Sequence, residues 1–417
     1  MFDKVLRVFG GLFIGVWVAR HLGPQDFGIL NYAIAYSALF SLFSKIGLDQ
    51  IIVREIVKTP KLTNYLLGTA FGLKLFGSFI ALAFVFISLY FSDTDLLTKT
   101  VIFIVTAGFV FQSADIIDYF YQAKVLSKAV VVARNCAFIL STILNVYLLI
   151  NDYSVIYFAL SNLANLIFSA IFLFLMYKKS GYVIGKWRFS TRIAKKLLLY
   201  SWPLAISSFL IAIHLRVDQV MIGKMLSMEQ VGLYSVAVRL AESWYFIPAI
   251  LVSTFMPYFV RLREVDANLY QFRLIQLYFT MFWSGVGVSL VSVIYGDIII
   301  KLLFGKEFEG SYGALVFNIW AGVFVAQSYA KGIWVISENL QIFRIFNNLI
   351  AIIVNISLNA ILIPSYGISG AAAATLISRL INNWFSPLLF KPVRGNTILS
   401  IKSINPFFLI KVKNAQH

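Results

Sequence analysis

Twelve apolar stretches, nearly all long enough to cross a bilayer, run the length of this chain. They fall at about residues 2–19, 27–44, 62–91, 100–117, 129–150, 155–177, 197–222, 231–259, 274–295, 312–330, 345–363 and 370–390. A helix needs roughly 20 apolar residues to cross ~30 Å of hydrocarbon. Composition agrees: 60% of residues are hydrophobic, 13% are charged and the mean hydropathy is +0.84, far from a soluble globular average. The expected fold class is an all-α integral membrane protein with about 12 transmembrane helices in two six-helix bundles related by an internal repeat.

The connections are lopsided in charge. Those after even-numbered spans carry 23 Lys and Arg residues, those after odd-numbered spans only 5. Lys and Arg are retained on the cytoplasmic side, so both termini are expected in the cytoplasm. The net charge of +17 therefore sits in short loops beside membrane spans. Anionic lipid head groups are its expected partner there, and nucleic acid is not. The single cysteine, Cys136, lies within a span, so no intramolecular disulfide can form.

The first span starts almost at Met1 and holds Lys4 and Arg7. Either these side chains snorkel to the interface or residues upstream belong to the helix. A cleaved signal peptide is disfavoured, because Trp17 stands where a small residue is wanted.

A duplication is legible. Leu22-Gly-Pro-Gln-Asp-Phe-Gly28-Ile-Leu-Asn-Tyr-Ala33 is echoed at an offset of 204 by Leu226-Ser-Met-Glu-Gln-Val-Gly232-Leu-Tyr-Ser-Val-Ala237, and Leu144-Asn145 by Leu358-Asn359 at 214. The first pair links the first and second spans of each half, and the second runs in each half into a short outside turn. Six spans per repeat is even, so the halves are related by an axis along the membrane normal, a plan in which transporters bind substrate between halves. The expected organisation is an N-terminal bundle over 1–177, a basic linker over 178–196, a C-terminal bundle over 197–390 and a tail over 391–417.

The offset of 204 exposes an asymmetry. Arg216 and Asp218 correspond to Leu12 and Ile14, and Arg239 and Glu242 to Ala35 and Ala38. Packing alone does not require these charges, which serve either as an ion-pair scaffold or as a functional cluster. Lys74 and Arg379 lie near the middle of their spans, where a charge costs ~2.5–3.5 kcal/mol. Arg134 is within snorkelling reach of the interface. Together Lys74, Arg134, Arg216, Arg239 and Arg379 are the candidate substrate-binding cations, suited to phosphate or diphosphate because an Arg fork engages two oxygens. Asp115, Asp218 and Glu242 are candidate ion-coupling carboxylates, with His214 four residues from Asp218. Pro203, Pro248, Pro257 and Pro387 are expected to bend their helices. Trp17, Trp202, Trp244, Trp384 and Tyr119 to Tyr121 read as interfacial aromatics without a substrate role.

Four segments in order carry a resemblance. Ala19-Arg-His-Leu-Gly-Pro-Gln-Asp-Phe-Gly-Ile-Leu-Asn-Tyr-Ala33, Gly47-Leu-Asp-Gln-Ile-Ile-Val-Arg-Glu55, Arg216-Val-Asp-Gln-Val-Met-Ile-Gly223 with Val231-Gly-Leu-Tyr-Ser-Val-Ala-Val-Arg239, and Ile363-Pro-Ser-Tyr-Gly-Ile-Ser-Gly-Ala371 resemble the Wzx family of bacterial polysaccharide flippases. The resemblance implies a fold similar to the MATE and lipid II flippase proteins, two bundles around a central cationic cavity in the bacterial inner membrane. It implies movement of an undecaprenyl-diphosphate-linked oligosaccharide between leaflets, with a polysaccharide polymerase and chain-length machinery as further partners. Family members usually carry more residues before the first span. The family has no single transferable substrate motif, so the candidate residues rest on charge and depth.

Two other classes fit less well. An enzyme such as a polymerase or glycosyltransferase needs catalytic residues on a substantial loop, and the longest predicted outside connection, 296–311, has 16 residues. Asp93-Thr-Asp95 spells a metal-nucleotide motif but reads as a turn on the outside. There is no P-loop pattern and no His/Cys cluster, and no cofactor is expected. A drug exporter of the same fold would favour acidic residues in its cavity.

Overall fold

The computed structural model describes residues 2–338 and 340–408, with side chains described from Gly10 onward. Lys4 and Arg7 therefore fall outside the described side chains. The helices are α1 (Phe2–Ala38), α2 (Ser41–Lys45), α3 (Leu48–Lys58), α4 (Thr63–Tyr90), α5 (Leu96–Phe111), α6 (Ile116–Ala123), α7 (Lys128–Ile150) and α8 (Val155–Lys179). They continue as α9 (Thr191–Met225), α10 (Met228–Glu242), α11 (Phe246–Val265), α12 (Ala267–Leu303), α13 (Tyr312–Ser337), α14 (Gln341–Leu380) and α15 (Lys391–Lys402). Two compact units divide at Val220 and Met221, inside α9.

Among the described residues, nine helical stretches are long and apolar enough to cross a membrane, or ten when residues 10–58 count as one bent span. Two of these ten hold two hydropathy segments each. Gly23, at φ 67° and ψ 176° ahead of Pro24, breaks α1 between spans 1 and 2. Gly367, at φ 59° and ψ −142° after Pro364, breaks α14 between spans 11 and 12. Both conformations belong to glycine alone, since a Cβ would clash with the backbone. Dividing at both glycines recovers the twelve apolar segments of the sequence.

The internal repeat extends through each unit. In the first half of the repeat, the break at Gly23 is followed by a helix to Ala38 and then by α2 and α3; in the second half, Leu226 and Ser227 separate α9 from α10, which is followed by α11. Further along, Ser78 Oγ donates to Lys74 O at 2.8 Å and is 2.9 Å from Phe109 O on α5. Ser289 Oγ does the same to Gly285 O at 2.8 Å and Ile319 O of α13 at 3.1 Å. The equivalences Ser78/Ser289 and Phe109/Ile319 lie at offsets of 211 and 210. The offset thus grows from 204 through about 210 to 214 along the repeat, as loops lengthen in the second half. The most buried spans of the two units, 96–123 and 306–337, are repeat partners.

In the first unit, residues 48–58, placed by hydropathy between spans, form α3. It buries Leu48, Ile51, Ile52, Glu55 and Ile56, the i, i+3, i+4 spacing of one helical face. The basic segment after α8 is sewn onto the same unit. Arg188 N donates to Asn64 O at 3.2 Å and Ser190 N to Thr69 Oγ1 at 3.0 Å. Trp187 Nε1 donates to Tyr177 OH at 3.1 Å, and Lys196 Nζ pairs with Glu55 at 2.8 Å.

In the second unit, the chain after Leu380 loosens into a π turn (Ile381–Phe385) and a 3₁₀ turn (Ser386–Leu389) before α15. Pro387 starts the 3₁₀ turn; Pro248 sits in the first turn of α11, where its missing N–H costs nothing. Residues 391–402 bury Val393, Asn396, Thr397 and Ser400. Residues 409–417 lie outside the described residues.

Candidate functional site

Lys74 is the most deeply placed of the candidate cations. It projects from the middle of α4, is 2% exposed, and donates from Nζ to Tyr119 OH at 3.3 Å. The ammonium also lies 5.2 Å from the centroid of the Tyr119 ring. No carboxylate stands within 4.0 Å of it among the described residues, although Asp115 and Asp49 act on it at longer range. Tyr119, read from sequence as an interfacial aromatic, is instead the partner of this lysine; its hydroxyl and ring face meet the ammonium together.

Arg134 and Asp115 belong to the same group. Arg134 Nη2 on α7 lies 2.6 Å from Asp118 Oδ2 and 3.2 Å from Asp115 Oδ1, so the guanidinium is held by two carboxylates and does not simply snorkel. Asp115 ends the 3₁₀ turn after α5, and Asp118 lies on α6, whose short length presents both to α7. Lys45, Lys74 and Arg134 face Asp49, Asp115 and Asp118, and the formal charges cancel. The cationic excess expected from the span inventory is absent from this group, because Asp118 and Asp49 join it from outside the predicted spans.

His214 and Asp218 lie one turn apart on the buried face of α9, beside Gln219. Arg216 donates from Nη1 to Gln219 Oε1 at 3.3 Å. Arg239 and Glu242 occupy the last turn of α10. Glu242 and Arg379 both act electrostatically on Tyr245, a grouping that sequence spacing did not show.

Sequence reasoning also missed Lys331 and Arg344, which it placed in a connection. Lys331 lies within α13, is 9% exposed, and donates from Nζ to Asn383 O in the π turn. Beside it Gln327 accepts from Asn383 Nδ2 at 2.6 Å and from Trp384 Nε1 at 2.8 Å, so Trp384 is an internal packing residue. The missed signal was the apolar run Gly332 to Ile336, which continues the span beyond Lys331.

With this geometry in place, comparison with known proteins is decisive for the family. The family model described as "Polysaccharide biosynthesis protein" matches residues 11–263, more than half of the chain. The chain belongs to that family. It is 26% identical over 382 residues to the capsular polysaccharide biosynthesis protein CapF of Staphylococcus aureus, covering 88% of this chain and 92% of the relative. It is 27% identical over 172 residues to the probable flippase AglR of Haloferax volcanii, covering 39% of this chain and 34% of that protein. Among solved structures, the lipid II flippase MurJ in an inward closed conformation superposes with a TM-score of 0.74 at 16% identity, over 99% of this chain and 92% of that one. An inward-facing MATE family multidrug resistance transporter gives 0.68 at 14% identity, over 95% and 96%.

The polysaccharide biosynthesis family and the MATE-like fold are those implied by the resemblance to Wzx-type flippases, and the protein is a multi-pass membrane protein. Lys74, Asp115, Arg134, His214, Arg216, Asp218, Arg239 and Glu242 fall inside the region matched by the family; Arg379, Lys331 and Arg344 lie beyond it.

Proposed function

We propose that this member of the polysaccharide biosynthesis family moves undecaprenyl-diphosphate-linked oligosaccharide repeat units from the cytoplasmic to the periplasmic leaflet of a bacterial inner membrane. A diphosphate and several sugars cannot cross hydrocarbon unaided, whereas the polyprenyl tail can stay in lipid. The basic connections hold both termini in the cytoplasm.

The observation that carries the reading is Lys74, an ammonium kept inside a span against a tyrosine, with no carboxylate within 4.0 Å among the described residues. Such a group costs ~2.5–3.5 kcal/mol on insertion scales and is kept where it meets a ligand or a path. Lys74 contacts the diphosphate, with Arg216, Arg239 and Arg379 as further cations. Asp115, Asp218 and Glu242, with His214 beside Asp218, carry the coupling ion. Arg134, already paired, positions Asp115, which acts on Lys74 at longer range, together with Asp118.

The test is deletion of the gene in its host, followed by leaflet assignment of the lipid-linked glycan. Full repeat units accumulating on the cytoplasmic leaflet, with surface polysaccharide restored by the wild-type gene and not by Lys74→Met, is the expected result. Periplasmic arrival of unpolymerised full-length glycan in the deletion strain would refute it.

A further inference from the structure

The second unit contains a polar cavity of ≈ 60 Å³ whose lining includes Lys331, Arg344, Asn347, Asn348, Asn382 and Asn383. Lys331 forms its floor and the exposed Arg344 its rim. No Asp or Glu lines it. Neither cation has a carboxylate within 4.0 Å among the described residues, so two positive charges converge without a counter-ion.

The internal repeat shows why this is unusual. The lining of this cavity and the Lys74 group occupy corresponding ends of repeat-related helices: Arg134 on α7 corresponds to Asn348 on α14 at the offset of 214, and Phe120 to Lys331 at 211. In the first unit, Asp115 and Asp118 pair with Arg134. At offsets of 210 and 211 those aspartates correspond to Val325 or Ala326 and to Ser328 or Tyr329. The second unit carries its cation at a different position, Lys331 in place of Phe120, and lacks those two aspartates.

The remaining polar groups point to an acceptor-rich ligand. Lys331 spends one of its three N–H donors on Asn383 O, a carbonyl in the loosened π turn. Asn347 Oδ1 accepts from Ser386 Oγ at 2.9 Å and Asn348 Oδ1 from Asn382 Nδ2 at 3.2 Å. Their amide nitrogens are thereby left as donors, beside the five of the Arg344 guanidinium. At ~10–15 Å³ per water-sized group, the cavity has room for roughly four to six such groups, enough for a phosphate.

We infer that the cavity between Lys331 and Arg344 binds one phosphate group, either free phosphate or the phosphomonoester head of a membrane lipid. Lys331 supplies a point charge at the floor and Arg344 a two-pronged contact at the rim. The site is separate from the transport reading and does not depend on it.

The test uses the full chain purified into nanodiscs, with thermal unfolding as readout. Inorganic phosphate is titrated against chloride at equal ionic strength in phosphatidylcholine discs; in parallel, phosphatidic acid is introduced into the discs. Saturable stabilisation by phosphate, weakened at least ten-fold in Arg344→Gln and only partly restored in Arg344→Lys, which keeps the charge and loses the fork, assigns free phosphate. Stabilisation by phosphatidic acid alone, with the same dependence on Arg344, assigns the lipid head. Lys331→Gln is expected to act like Arg344→Gln; should it fail to fold, the two Arg344 variants decide. No stabilisation by either probe, or stabilisation undiminished in Arg344→Gln, overturns the proposal.

Discussion

Arg134 Nη2 sits 2.6 Å from Asp118 Oδ2 and also reaches Asp115 at 3.2 Å, so one guanidinium ties the turn after α5 to α7. Replacing it with Met strands two carboxylates. The cost is expected between the ~1 kcal/mol of an exposed pair and the ~3–5 kcal/mol of a buried one, because all three side chains are partly shielded. Thermal unfolding of the purified protein checks this, and adding Asp115→Asn with Asp118→Asn should recover much of the loss.

Tyr119 is expected to matter through its hydroxyl. Tyr119→Phe keeps the ring over Lys74 and removes the acceptor at 3.3 Å, a contact to a charged group typically worth about 1.5–3 kcal/mol. Transport, followed by surface polysaccharide, should fall several-fold while membrane abundance is unchanged. Lys74→Met should abolish it, and wild-type transport by Lys74→Met would remove the diphosphate contact from the mechanism.

The two helix breaks are expected to be intolerant. Gly23→Ala and Gly367→Ala each force a Cβ into a glycine-only conformation, at a cost on the order of 1–3 kcal/mol. Gly395→Ala, in α15 with open space around its Cβ position, should be neutral or gain up to ~1 kcal/mol from helix propensity. Comparing the melting temperatures of the three variants separates backbone strain from a general sensitivity to substitution.

Asp95 caps α5, accepting from Thr98 N at 2.9 Å, which gives the Asp93-Thr-Asp95 triplet a structural use. Asp95→Ala should cost ~1 kcal/mol. Burial pushes the Asp95 carboxyl up, but the hydrogen bonds from Thr98 outweigh it and hold it below its ordinary value. The cap is therefore fully present above the unfolded value and is lost as pH falls through the lowered folded one. Asp95→Asn should keep much of the cap and flatten that part of the acid dependence of melting.

Hydropathy in this chain reports on lipid, and it is a property of each segment alone. For that reason the twelve apolar segments, the repeat at 204 and 214 and the membrane class were legible in the residues themselves. Segment boundaries were less so. Residues 48–58 and 391–402 are polar enough to read as connections, yet each buries one face against its own unit.

Charge pairing was beyond the reach of spacing. Sequence reading counted Lys74 and Arg134 as cations and left Tyr119 and Asp118 out, because the contacts Lys74 to Tyr119 and Arg134 to Asp118 span 45 and 16 residues. Likewise Lys331 read as a loop lysine until α13 was seen to carry it inward to Asn383, 52 residues away. Composition and order determined that this chain lives in a membrane as two related halves, since hydropathy sums over a segment. Only the tertiary structure decided which of the buried charges stand beside a carboxylate and which do not, since that depends on what packing brings within a few ångströms of each.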